Sequence, residues 1–75
     1  MYGNAPTFLR NLGSTIRERR HALKWTQAEL AERCQFHRSF VGQVEAGVRN
    51  LTILNLRSIA KVLRVPLGEL ADGLG

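Results

Sequence analysis

Two short amphipathic stretches, Thr26 to Cys34 and Arg38 to Ala46, are separated only by Gln35, Phe36 and His37. So short a link forces the second helix to start against the end of the first, as in two helices joined by a tight turn. The first stretch has a clear start. Thr26 is a favoured N-cap, and Glu29 stands three residues later, the spacing of a capping box. Trp25 precedes the cap and Leu30 occupies the fourth helical position, so the two can form a hydrophobic staple. The connection contains no glycine, so a residue such as Gln35 is expected in a left-handed conformation, at a cost of ~1 kcal/mol. Gly47 supplies the C-terminal stop of the second stretch.

The flanking sequence adds further helices. From Phe8 to Lys24, Leu9, Leu12, Ile16 and Leu23 fall near helical spacing, and Arg17, Arg19, Arg20 and Lys24 make this helix basic. Thr52 can cap a fourth helix whose inward stripe would be Ile53, Leu56, Ile59, Ala60 and Leu63. Pro66 opens a short last helix with Leu67 and Leu70 facing in. Residues 1–7 are expected to form a loose tail, 8–72 a single domain and 73–75 a fraying end. A core is marginal in a chain of 75 residues, so every helix must contribute to it. Only five residues are aromatic and no β-branched residues alternate, which favours an all-α bundle over a sheet.

Several function classes fall away on composition. Cys34 is the single cysteine, which rules out an intrachain disulfide and fits a reducing cytoplasm. No apolar run approaches the ~20 residues needed to span a bilayer, and residues 1–7 lack the character of a signal peptide. Cys34 and His37 form one pair without a second at zinc spacing, so no metal or other cofactor is expected. No glycine-rich phosphate loop or hydrolase elbow is present, so the chain does not read as an enzyme. The net charge of +5 and the pI of about 10.7 suit a polyanionic partner, although the same charge would also serve solubility.

The second stretch carries the chemistry. On a wheel of about 100° per residue, Arg38, Ser39, Gly42 and Gln43 fall within about 140° of one another. Val41, Val44 and Glu45 take the other side, and Phe40 sits at the border. Arginine can donate two hydrogen bonds to guanine O6 and N7, and glutamine can pair at two points with adenine N6 and N7. A glycine on that face suits close approach of the backbone to a surface. A solvated polar face with a tolerated glycine would show the same pattern. Gln27, together with the free N–H groups of its helix's first turn, can hold a phosphate. Arg49, Asn50 and Thr52 can hold another; each of the four, Gln27 included, can equally be an ordinary loop or cap residue. Glu45 lies near the inward side and needs a cationic partner; Arg20 is the best candidate, and exposure to solvent is the alternative.

Taken together, Leu12, Ile16, Arg20, Thr26 to Ala31, Arg38 to Val41, Val44 to Gly47, and Leu56 through Leu70 resemble the Cro/C1-type, or XRE, helix-turn-helix family. The resemblance spans Leu12 to Leu70. It implies a five-helix, lambda repressor-like DNA-binding domain whose third helix enters the major groove of double-stranded DNA. It also implies base-facing roles for Arg38, Ser39 and Gln43, a phosphate contact at Gln27, and a buried ion pair between Arg20 and Glu45. Four positions depart from the family pattern. Gln35 replaces a glycine, His37 a Ser or Thr cap, Arg19 an apolar residue, and Gly42 is unusual. Arg38-Ser39-Phe40-Val41 and Arg49-Asn50-Leu51-Thr52 resemble the controller proteins of restriction–modification systems. Phage Cro-like repressors, and antitoxins that bind a toxin protein and their own promoter, share the scaffold and are the alternative readings. A chain of this length is not expected to hold a ligand-sensing domain, so control would come from concentration, homodimerisation and contacts with RNA polymerase or a competing repressor. Leu54, Val62, Leu67 and Leu74 are the candidates for a dimer surface, and some of them can equally serve the core.

Overall fold

The computed structural model describes residues 7–71, and these form five helices in the order expected. They are α1 (Thr7–Ala22), α2 (Gln27–Cys34), α3 (Arg38–Glu45), α4 (Ile53–Leu63) and α5 (Leu67–Ala71). Helix α3 packs on α1 and α2, α4 packs on α2, and α5 closes the bundle against α1 and α4. The core draws on every helix: Leu12 and Ile16, Leu30 and Ala31, Val41 and Val44, Leu56, Ile59, Ala60 and Leu63, and Leu70. Each large aliphatic side chain removed from water contributes ~1.5–3 kcal/mol, so no helix of so small a bundle is dispensable.

The helix starts follow the local chemistry. Thr26 Oγ1 accepts from the Glu29 N–H at 3.0 Å, and Glu29 Oε1 accepts from the Thr26 N–H at 2.7 Å, which completes the capping box. Trp25 and Leu30 join the same apolar cluster, and the Arg33 guanidinium lies 4.2 Å above the Trp25 ring. Helix α4 repeats the device with Thr52 and Asn55.

The helix ends share one solution. In α1, α2, α3 and α4 a left-handed residue follows the last turn, and the next N–H reaches back five residues to a carbonyl. The left-handed residues are Lys24 (φ 62°), Gln35 (φ 61°), Gly47 (φ 77°) and Arg64 (φ 63°). Gln35 thus takes the conformation expected of it. Helix α1 differs from expectation at both ends. It opens at Thr7 and closes at Ala22, because Lys24 turns left-handed and ends it.

Ile53 departs from its expected place. It is 65% exposed rather than part of the inward stripe of α4. On the wheel it lies about 70° from the mean direction of Leu56, Ile59, Ala60 and Leu63, and it sits in the first turn, at the rim of the core. Arg19, where the family pattern has an apolar residue, forms an exposed ion pair with Glu69 that ties α1 to α5.

Candidate nucleic-acid interface

The side of α3 that carries Val41, Val44 and Glu45 is buried, and the side that carries Arg38, Ser39 and Gln43 is exposed. This is the division read from the sequence, with Phe40 half-buried at the border. Among the described residues, Arg38 and Ser39 make no side-chain hydrogen bond within the protein. His37 occupies the N-cap with extended backbone but without a side-chain cap bond, so the departure at this position does leave the start of α3 uncapped. Gly42 is half-buried, and a Cβ there would meet only Gln27 Oε1, at an ordinary 3.6 Å. Nothing among the described residues requires glycine at this position.

The buried side of α3 is fixed by a charged clamp. Arg20 Nε donates to Glu45 Oε2 at 2.7 Å and Arg20 Nη2 to Glu45 Oε1 at 2.9 Å. Arg20 Nη1 also donates to the Trp25 carbonyl at 2.8 Å, so one side chain joins α1, the α1–α2 turn and α3. Burial by itself would raise the pKa of Glu45. Hydrogen bonds from Arg20 and Gln27, with the charges of Arg20 and Arg17, outweigh it and hold the carboxyl below its ordinary value. The hydrogen bond to Glu45 raises the pKa of Arg20 in turn, against the opposing effect of burial.

Gln27 sits beside this clamp. Its Nε2 donates to Glu45 Oε1 at 3.1 Å, which leaves a second amide hydrogen unused. Arg17, which sequence reasoning did not single out for the site, lies 3.9 Å from the same carboxylate oxygen and is largely exposed. The α3–α4 loop lies along the other flank of α3. Arg49 Nη1 donates to Gln43 Oε1 at 2.8 Å, and the Arg49 guanidinium lies 5.0 Å from the Phe40 ring centre. Asn50 is exposed, and Thr52 caps α4. The structure therefore brings Gln27, Gly42, Gln43 and Arg49 together along α3.

The dimer candidates divide. Leu54 is 67% exposed beside the equally exposed Ile53. Val62 and Leu67 are half-buried against the protein's own core, and Leu74 lies outside the described residues. Burial pushes the Cys34 thiol up to about 11, so it stays protonated and unreactive at neutral pH. Among the described residues no group of three or more metal-ligating side chains forms, and no helix is long and apolar enough to cross a membrane.

The pattern of the helix-turn-helix family matches residues 16–70. Control protein C.BamHI of Bacillus amyloliquefaciens is 36% identical over 47 residues, which cover 63% of this chain and 58% of that protein. The chain thus matches little more than half the length of that relative. The crystal structure of the restriction–modification controller protein C.AhdI from Aeromonas hydrophila superposes with a TM-score of 0.80 at 37% identity, covering 83% of this chain and 94% of that one. A point mutant of C.Esp1396I bound to its highest-affinity operator site superposes at 0.79 with 30% identity, over 92% and 96% of the two chains. The chain belongs to the Cro/C1-type helix-turn-helix family and is similar, within it, to the controller proteins of restriction–modification systems.

Proposed function

We propose that the protein is a sequence-specific transcriptional regulator that binds a near-palindromic operator as a homodimer, in the manner of a restriction–modification controller. The observation that carries this reading is the two-sided α3. Its inner side is pinned by Val41, Val44 and the Arg20–Glu45 clamp, while Arg38, Ser39 and Gln43 face outward. A rigid helix with free donors on its outer face is what major-groove recognition requires. Gly42 lets the helix backbone approach the bases. Gln27 and Arg17 on one flank of α3, and Asn50 and Thr52 in the loop after it, hold flanking phosphates, which set orientation and do not read sequence.

One such helix spans few base pairs, so two are needed for useful specificity. A two-fold dimer places them about one DNA turn, ~34 Å, apart. Leu54, with Ile53, offers exposed apolar surface for the dimer contact, and Val62 and Leu67 border the core nearby on α4 and α5. Output is set by protein concentration, by dimerisation and by contact with RNA polymerase. Selection of bound duplexes from random DNA tests the proposal. A near-palindrome with half-sites one helical turn apart is the expected result, and recovery of no common sequence would overturn it.

A further inference from the structure

Resting on the reading of α3 as the base-reading helix, we propose that Arg49 determines what Gln43 recognises. By holding the Gln43 carboxamide oxygen it presents the amide nitrogen outward, so that Gln43 reads guanine rather than adenine. The orientation of the amide follows from chemistry. A guanidinium has only donors, so the Gln43 atom 2.8 Å from Arg49 Nη1 must be the oxygen. The bond is charge-assisted and hence roughly twice as strong as one between neutral groups.

Arg49 is itself held in place. Its guanidinium lies over Phe40, and Phe40 meets Phe36 edge to face, with centroids 5.0 Å apart and planes at 73°. Phe36 belongs to the α2–α3 turn, where its N–H bonds to the Ala31 carbonyl at 2.8 Å. A line of contacts thus runs from the turn through two aromatic rings to the cation and on to the amide. Ser39 and Asn55 line the same depression as Gln43 and Arg49.

Two-point pairing with adenine needs the glutamine oxygen to accept from N6–H2 while the nitrogen donates to N7. In this chain that oxygen is already turned to a cation, so adenine N6–H2 can reach only its second lone pair, from the side away from Arg49. Guanine offers two acceptors, O6 and N7, on the same edge. The Gln43 amide nitrogen carries two N–H donors, which suits that edge. Arg49 is in this scheme a positioning residue for base choice and not a phosphate contact.

Parallel selections from random duplex DNA with the wild-type protein, Gln43→Ala and Arg49→Ala test the assignment. The position read by Gln43 is the one whose preference vanishes in Gln43→Ala, and in the wild type it should be guanine. In Arg49→Ala the same position should shift toward adenine by on the order of tenfold, with the other positions unchanged. Adenine at that position in the wild type would overturn the inference, as would an Arg49→Ala protein that loses affinity equally for all sequences. If the wild type selects no sequence at all, the DNA-binding reading itself falls.

Discussion

Gly13 of α1 lies directly against the end of α3, so close that a Cβ at Gly13 would stand 2.6 Å from the Glu45 carbonyl oxygen. The contact is backbone on one side and leaves no flexible side chain to yield. Together with the Arg20–Glu45 clamp it fixes how α3 sits on the bundle, and so how far its outer face projects. Gly13→Ala should force the two helices apart and destabilise the fold by ~1–3 kcal/mol. Urea denaturation measures this, and an unchanged midpoint would mean that the two backbones do not meet at Gly13.

Glu45→Ala leaves the Arg20 guanidinium buried without its partner. The expected loss is ~3–5 kcal/mol, a large share of the stability of a domain this small. Thermal melts of the two single variants and the double Arg20→Ala/Glu45→Ala variant check this. The double variant should lose much less than the sum of the singles, because the two groups act as one unit.

Acid sensitivity follows from the same carboxyl. The folded-state pKa of Glu45 lies below its ordinary value, which is ~4.3 in an unfolded chain. Between the two values the unfolded state binds the extra proton, so stability falls as pH falls. The Glu45 contribution is therefore complete above the unfolded value and is lost as pH drops through the folded one. Melting temperatures measured from neutral pH downward should fall below ~pH 4.3, less steeply in Glu45→Gln than in the wild type. Equal slopes would contradict the assignment.

Three of the four left-handed helix ends carry a side chain where glycine is unstrained. Lys24→Gly, Gln35→Gly and Arg64→Gly should each stabilise the fold by up to ~1 kcal/mol. Gly47 behaves oppositely. Its φ is 77°, and a Cβ there would lie 2.7 Å from Arg10 Cα, so Gly47→Ala should destabilise by more than the other three gain. Calorimetry on the four single variants separates these signs.

Features that rest on local pattern are legible in the chain itself. The Thr26–Glu29 box, the left-handed Gln35 and the outward turn of Arg38, Ser39 and Gln43 each depend on a few neighbouring residues and a helical period. The Arg20–Glu45 pair needs the fold as well, because 25 positions separate its members. The role of Gly13 is hidden because a glycine inside a helix does not reveal which backbone it faces. The exposure of Ile53 is legible only in part, because the wheel puts it at the edge of the inward stripe but does not show where the neighbouring core ends. The bond from Arg49 to Gln43 depends on the path of a loop, which side-chain spacing does not encode.

The outer face of α3 is tested most directly by Arg38→Ala, measured for affinity on the selected operator and on unrelated duplex DNA at one salt concentration. Loss of ~1–3 kcal/mol on the operator, with little change on unrelated DNA, is expected if Arg38 touches a base. An equal loss on both would make Arg38 a phosphate contact, and no loss on either would remove α3 from the interface.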